Sequence, residues 1–154
     1  LADVAQDAIS LLALNRNSVD AQFFNLCDPQ HLVTGDAQRL AQVLINLLSN
    51  ARDASQPGGA IRVKTEANED TVELLVEDEG SGIPKAIMDR LFEPFFTTKD
   101  PGQGTGLGLA LVYSIVEEHY GQITIDSPAD PERQRGTRFR VKLPRHVEAT
   151  SAVN

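Results

Sequence analysis

The sequence contains no tryptophan, one cysteine, one methionine and only 5% aromatic residues. Because a single cysteine permits no internal disulfide, the chain is not a small scaffold held together by cross-links. We expect Cys27 to be a core residue of a protein from a reducing compartment. The only methionine is Met88, so residue 1 is not a translation start, and we expect the chain to be a piece of a longer protein.

Long hydrophobic runs and an excess of basic charge are also missing. No apolar run approaches the ~20 residues that span a bilayer, and no secretory signal is visible. We therefore expect a cytoplasmic chain, and a membrane anchor elsewhere in a longer protein stays open. The formal charge is −8, which argues against nucleic acid as a partner because phosphate backbones bind basic surfaces.

The 154 residues, of which 41% are apolar, are enough for one globular domain with a proper core. Helical periodicity and capping signals, strand patterns and Gly/Pro breaks divide the chain into helices and strands. Helices are predicted at 1–14, 36–54, 84–90 and from 110 to about 121, and strands at 19–26, 61–67, 71–77, 122–126 and 137–143. This order predicts an α+β two-layer sandwich, with helices on one face of a largely antiparallel sheet.

The domain boundaries follow from the same pattern. Residues 1–15 are the end of a linker or the first helix of the domain, residues 16–145 form the domain, and residues 146–154 form a flexible tail.

The most informative local feature is the glycine-rich run 102–109, which leads into the apolar stretch 110–116. Alternate glycines let the backbone approach a ligand closely, and a helix start offers free N–H groups and a positive dipole end. Together they predict a phosphate site. A glycine-rich turn alone is a weak signal, so its companions decide the interpretation.

A polar stripe runs along one edge of the helix predicted at 36–54. Asn46 and Asn50 lie four residues apart, so their amides project from the same side. Mg²⁺ takes oxygen ligands and usually keeps substrate phosphates and waters, so one neutral protein ligand is enough. The alternative is an ordinary polar rim or a buried hydrogen-bond pair.

Asp78 ends a strand whose apolar residues alternate, and it falls on the same face as Val76. A carboxylate there can accept a hydrogen bond from the exocyclic amine of adenine, whereas guanine offers a carbonyl that a carboxylate repels. Gly80 and Gly82 leave room for a flat ligand. An acidic turn between two elements is the simpler alternative.

Three of the six phenylalanines, Phe92, Phe95 and Phe96, gather in the loop predicted after residue 90. They indicate, in part, a hydrophobic cluster that anchors a long loop. The functional interpretation is a hinged lid whose other end is the glycine run. The residues that follow the cluster can reach phosphate: Thr97, Thr98 and Lys99.

Taken in order, these segments closely resemble the ATP-binding catalytic domain of bacterial sensor histidine kinases. Residues 46–50, 78–83, 91–99 and 104–108 are similar to the family's N box, first glycine box, F box and second glycine box. Residues 136–139 resemble its final Gly-Thr strand, so the resemblance covers about residues 1–144. The sequence of residues 93–99 is most similar to the F box of sensor kinases of the nitrogen-regulation type. The resemblance implies the Bergerat (GHKL) fold with ATP and Mg²⁺ bound under the lid.

The resemblance also implies roles for individual residues. Asn50 is the implied Mg²⁺ ligand, Asp78 the adenine contact, and Thr137 the residue that closes the pocket behind it. Asn46 lies near the γ-phosphate and, with Lys99, is assigned to catalysis. The remaining implied contacts shape the base pocket, form the lid or wrap the phosphates: Gly80, Gly82, Ile83, Phe92, Thr97, Thr98, Gly104, Thr105, Gly106, Leu107, Gly108 and Leu109.

Two departures from the family pattern qualify the resemblance. Asp53 lies at the nucleotide site where many members carry a basic residue, so a basic phosphate contact comes from Arg52 or Lys99. None of His31, His119 and His146 has the sequence context of a phosphoacceptor. The implied acceptor is therefore a histidine on a dimerisation domain outside this sequence, with a response regulator downstream, and the isolated domain is expected to be a monomer.

Three other functions stay open on the same scaffold. An ATPase of the gyrase, mismatch-repair or chaperone type uses a Glu as general base where this chain has Asn46. An anti-sigma-factor-type Ser/Thr kinase and binding module suits the length but fits the F box and second glycine box less well. A nucleotide-binding regulatory module without kinase activity is disfavoured by the intact motifs.

Overall fold

The structure, a computed structural model, describes residues 1–13, 22–55, 58–94, 108–128, 132 and 135–146. Its described helices are α1 (Ala2–Ala13), α2 (Ala37–Ala54), α3 (Lys85–Met88) and α4 (Gly108–Glu118). Its described strands are β1 (Gln22–Leu26), β2 (Ala60–Ala67), β3 (Thr71–Asp78), β4 (Gln122–Asp126) and β5 (Thr137–Pro144). No helix in these ranges is both long and apolar enough to cross a membrane.

The described strands form one sheet in the order β1-β2-β3-β5-β4. Strands β1 and β2 are parallel and α2 connects them, whereas the other neighbours are antiparallel. The register pairs Asp78, the last residue of β3, with Thr137, the first residue of β5. The predicted α+β sandwich with a largely antiparallel sheet is confirmed.

The apolar stripe predicted on α2 forms the centre of the core. The helix begins at its N-cap Asp36, whose carboxylate accepts hydrogen bonds from the backbone N–H groups of Gln38 and Arg39. It ends at Ser55, whose hydroxyl donates to Ala51 O at 2.7 Å. The stripe residues are all buried against the inner face of the sheet: Leu40, Val43, Leu44, Leu47, Leu48 and Ala51.

The other face of the sheet carries long charged side chains in alternation with the core residues. Glu77 of β3 lies between Lys64, at 2.6 Å, and Arg138, at 2.9 Å. Burial acts to raise the pKa of Glu77, but its hydrogen bonds with Lys64 and Arg138 outweigh burial and lower it. The helices therefore cover one face, and a network of ion pairs covers the other.

The end of α4 differs from the prediction. The helix was expected to stop near Gly121, but it ends at Glu118, and Tyr120 has a φ of 60°. The N–H of Gly121 then donates to Val116 O at 2.9 Å, as at a left-handed helix end. Gly121 is needed for another reason, because a Cβ there would lie 2.5 Å from the carbonyl oxygen of Lys142.

Two smaller expectations also need correction. Cys27 is partly buried and packs against the core rather than within it, and burial raises the pKa of its thiol to about 11. His146, expected to begin the tail, donates its backbone N–H to Leu32 O at 2.8 Å. Its Nδ1 lies 2.7 Å from Thr34 Oγ1. Residues 147–154 lie outside the described part of the chain.

Candidate nucleotide-binding site

Asp78 is a buried carboxylate at the end of a central strand, with a side chain only 7% exposed. Its Oδ1 accepts the backbone N–H of Gly80 at 2.8 Å, and the backbone of its sheet neighbour Thr137 also hydrogen-bonds to it. Burial raises the pKa of Asp78, and the two backbone hydrogen bonds offset only part of that effect. The sheet thus presents a fixed hydrogen-bond acceptor in a shielded place.

The loop after Asp78 runs along the C-terminal end of α2, and its glycines are required by close contacts. A Cβ on Gly80 would lie 2.4 Å from the carbonyl oxygen of Ala54. Gly82 has a φ of 82°, and a Cβ there would lie 3.0 Å from Ser127 Oγ. The first glycine loop therefore packs closely against the C-terminal end of α2 beside Asp78, where the base pocket is expected.

Two side chains from the connection between β4 and β5 hold this loop, and sequence reasoning missed the roles of both. Ser127 Oγ accepts the N–H of Ile83 at 2.7 Å. The guanidinium of Arg135 donates to Glu79 O at 2.8 and 3.2 Å. A serine and an arginine in a polar loop carry no local signal, because their partners are 44 and 56 residues away.

The polar edge of α2 faces the start of α4. Asn46 and Asn50 are partly buried, and neither carboxamide has a hydrogen-bond partner within the described ranges. A Cβ on Gly108, the first residue of α4, would lie 3.4 Å from Asn46 Oδ1. Asn46 is therefore directed at the helix that follows the second glycine run.

The donor set is suited to a cation that arrives with a nucleotide. The described ranges hold no group of three or more His, Cys, Asp or Glu side chains that could bind a metal by themselves. Two carboxamide oxygens on one helix edge, both without a partner in the described ranges, offer neutral oxygen ligands, and Mg²⁺ accepts such ligands when phosphates and waters complete its shell. The residues present thus fit Mg²⁺ bound together with phosphate.

Arg52 is not oriented toward this edge. It follows Asn50 by two positions, which places it roughly 200° around the helix. Its side chain is buried, and its Nη2 lies 3.4 Å from Ser49 Oγ. Asp53 is exposed, and its Oδ1 lies 4.0 Å from Arg52 Nε. Of the two basic candidates, the structure therefore disfavours Arg52.

The remaining predicted site residues fall into two groups. Phe92 is partly buried and packs on Tyr113 of α4, with ring centroids 5.6 Å apart. Ile83 and Leu109 are partly buried against the core. The other lid and phosphate residues lie outside the described part of the chain: Phe95, Phe96, Thr97, Thr98, Lys99, Gly104, Thr105, Gly106 and Leu107.

Comparison with known proteins identifies the relatives of this chain. Sensor kinase CckA of Brucella abortus is 41% identical over 135 residues, which cover 78% of this chain and 14% of that protein. Sporulation kinase A of Bacillus subtilis is 42% identical over 113 residues, which cover 73% of this chain and 18% of that protein. The chain therefore spans less than a fifth of the length of these two relatives.

The fold comparison agrees. A mycobacterial sensor histidine kinase, MprB, superimposes with a TM-score of 0.78 at 30% identity, and the match covers 94% of this chain and 93% of that one. Residues 35–147 match the model of the family described as histidine kinase-, DNA gyrase B-, and HSP90-like ATPase. With its Bergerat-type sandwich and its sensor-kinase relatives, the chain belongs to this family of ATP-binding domains.

Proposed function

We propose that this chain is the catalytic domain of a sensor histidine kinase in two-component signal transduction. It binds Mg·ATP and transfers the γ-phosphoryl group to a histidine on a dimerisation and phosphoacceptor domain outside this sequence. The observation that carries the proposal is the buried Asp78 carboxylate, held beside a glycine loop and the end of α2. The sensor-kinase relatives point to the same activity.

Asp78 selects the base. Its carboxylate accepts the exocyclic amine of adenine, and it repels the carbonyl oxygen that guanine carries at the equivalent position. Gly80 and Thr137 hold the carboxylate through backbone hydrogen bonds, so little ordering is needed when the nucleotide binds. Gly80, Gly82 and Ile83 shape the space for the adenine ring.

Asn50 and Asn46 bind the cation and the end of the triphosphate. Mg²⁺, when bound, neutralises charge on the β- and γ-phosphate oxygens. The carboxamide of Asn50 supplies a ligand oxygen, and that of Asn46 lies beside the γ-phosphate. Lys99 supplies the basic contact. The other proposed contacts belong to the lid and the second glycine loop: Phe92, Thr97, Thr98, Gly104, Thr105, Gly106, Leu107, Gly108 and Leu109.

Asn46 favours transfer to histidine over hydrolysis. A carboxamide cannot take a proton from water at neutral pH, so the site lacks the general base of an ATPase at this position. A neutral imidazole attacks with its own lone pair. A nitrogen–phosphorus bond forms, the bond from the γ-phosphorus to the bridging oxygen breaks, and ADP leaves with that electron pair.

The histidines of this chain have structural partners, which supports an acceptor elsewhere. His31 Nδ1 lies 2.8 Å from Thr65 Oγ1. The ring of His119 lies between Ile115 O, at 2.8 Å, and the backbone N–H of Asp36, at 3.1 Å. His146 contacts the 32–34 segment as described above.

The organisation of the longer protein is part of the same proposal. Because Ala5 and Ala8 of α1 are buried in the core, α1 is assigned to the domain as its first helix rather than to a linker. Residues 147–154 form the tail. The isolated domain is a monomer that binds no nucleic acid, and it works in the cytoplasm, where ATP and a response regulator are available. Residues 93–99 support a kinase of the nitrogen-regulation type.

The experiment combines the chain, a separately purified phosphoacceptor domain of its own full-length protein, and ATP labelled on the γ-phosphate. Label on the acceptor that is stable in alkali and lost in acid identifies phosphohistidine and supports the proposal. Acid-stable label identifies a Ser/Thr kinase, free phosphate alone identifies an ATPase, and no turnover identifies a regulatory module. Each of these three results overturns it. Transfer rates from the labelled acceptor to a panel of response regulators then test the nitrogen-regulation type.

A further inference from the structure

Three described residues of the connection between β4 and β5 hydrogen-bond to the first glycine loop, residues 79–83: Ser127, Arg135 and Gly136. We propose that Ser127 is a positioning residue of the nucleotide site. Its hydroxyl holds the part of the loop that contacts adenine in the conformation that binds the base. The inference rests on the proposed function, because it assigns a role within the same site.

The hydroxyl of Ser127 acts both as a hydrogen-bond acceptor and as a donor in holding the loop. It accepts the backbone N–H of Ile83 at 2.7 Å and donates to the carbonyl oxygen of Gly136 at 3.2 Å. It also lies in the space that a side chain on Gly82 would fill, 3.0 Å from the position of a Cβ. One small side chain therefore sets both the path of residues 82–83 and their distance from β5.

The contact with Gly136 extends this connection to the adenine-binding carboxylate. The N–H of Gly136 donates to Gly80 O at 2.8 Å, and the N–H of Gly80 donates to Asp78 Oδ1 at 2.8 Å. Thr137, the next residue after Gly136, hydrogen-bonds to Asp78 through its backbone. These hydrogen bonds connect Ser127, through Gly136 and Gly80, to Asp78, the residue proposed to select the base.

The composition of the loop makes such an attachment necessary. Two of its five residues are glycines, and glycine loses more conformational freedom on ordering than any other residue. Within the described ranges, Ser127 is the partner of the Ile83 N–H. Without the hydroxyl, this amide loses its acceptor, and part of the binding free energy of the nucleotide is spent on ordering the loop.

The test is Ser127→Ala. We expect it to weaken ADP binding roughly 5- to 20-fold, since up to two hydrogen bonds that order the loop are removed. Displacement of a fluorescent ADP labelled on the ribose measures the affinity of ADP and, separately, that of inorganic tripolyphosphate with Mg²⁺. Because the phosphates are bound by other segments, the tripolyphosphate affinity is expected to stay within twofold of the wild type. Ser127→Thr keeps the hydroxyl and is expected to restore most of the ADP affinity.

Ser10→Ala is the matched control, because Ser10 is exposed on α1. Unchanged ADP affinity in Ser127→Ala overturns the inference and leaves the proposed function standing. A parallel loss of ADP and tripolyphosphate affinity indicates a general structural role and also overturns it. If the wild type binds no adenine nucleotide, the proposed function itself fails.

If Ser127→Ala does not fold, as shown by the loss of a cooperative unfolding transition, a second variant tests the same attachment of the loop. Arg135 is exposed and holds the same loop through Glu79 O. Arg135→Ala is expected to lower ADP affinity about 2- to 5-fold while the tripolyphosphate affinity is kept. If Arg135→Ala then binds ADP as the wild type does, the attachment of the loop has no effect on adenine binding and the inference is wrong.

Discussion

At the scale of single residues, Asp78 combines a cost in stability with its proposed role in binding the base. Its pKa is raised by burial, so the folded state holds a proton on this group more readily than the unfolded chain does. Its contribution to stability is fully present below the unfolded pKa of 3.8 and is lost as the pH rises through the higher folded pKa. Above that pKa the fold carries a buried charge, and we propose that this charge serves to bind the ligand.

Asp78→Asn is expected to weaken ATP binding roughly 100-fold, because an amide donor can then face the adenine amine and a charged acceptor is lost. The same change is expected to raise the free energy of unfolding at pH 7, because the buried charge is removed. Calorimetry and urea unfolding measure the two effects, with the exposed Asp7→Asn as control. In the wild type, ATP affinity is expected to fall as the pH approaches the raised pKa from above. Unchanged ATP affinity in Asp78→Asn contradicts the assigned role.

Tyr120 has a backbone conformation that does not suit its side chain. Its φ of 60° is left-handed, and its side chain is 89% exposed, so little packing offsets the strain. Tyr120→Gly is expected to stabilise the fold by about 1 kcal/mol, measured by thermal unfolding. Tyr120→Ala removes the same contacts but keeps a Cβ, so a similar gain from alanine would show that the backbone is not the cause.

At the scale of elements, α2 has two faces with separate tasks. Its apolar stripe packs in the core, and on its polar edge Asn46 lies beside Gly108 at the start of α4. Packing of the apolar stripe fixes the orientation of the polar edge, because a rotation of the helix would remove fully buried leucines such as Leu44 and Leu47 from the core. The packing of the helix therefore orients the two carboxamides, for which the described part of the chain shows no hydrogen-bond partner.

Asn50→Ala is expected to keep most of the adenine affinity and to lose its dependence on magnesium. The physical reason is that, in the proposed site, Asp78 and the glycine loop bind the base, whereas the carboxamide contacts only the cation. Titrations of ADP with Mg²⁺ and with EDTA measure the two parts. Gln42→Ala, an exposed substitution on the same helix, is the control. An equal loss of affinity with and without metal argues against Asn50 as a ligand.

At the scale of the whole molecule, the ligand is expected to connect parts of the fold that are distant in sequence. Residues 46–50, 78–83 and 137 come from α2, β3 with its loop, and β5. A ligand that contacts all of them stabilises only the folded state, by about 2.7 kcal/mol at a concentration 100 times its Kd. Mg·ADP at that level is expected to raise the midpoint of thermal unfolding by about 5–10 °C. Mg·GDP at the same concentration is the control, and an equal shift with GDP contradicts selection of the base by Asp78.

Much of this architecture could be predicted because its signals are local. Asp36 caps the helix that follows it, and the spacing of Leu40, Leu44 and Leu47 predicts the buried face of α2. Asp78, Gly80 and Gly82 lie within one short segment, so their pattern is visible without knowledge of the fold. Helix caps and amphipathic periods involve residues a few positions apart, and these are the contacts that a sequence displays directly.

The sequence by itself determined the order of elements, the core face of α2 and the composition of the nucleotide motifs. Only the tertiary structure decided that Ser127 and Arg135 hold the first glycine loop, that Arg52 is directed away from Asn50, and that Tyr120 rather than Gly121 is left-handed. The physical reason is distance along the chain. The hydrogen bonds of Ser127 and Arg135 span 44 and 56 positions of the sequence. Like the close contact of Gly121 with β5, they depend on how the strands and helices pack together.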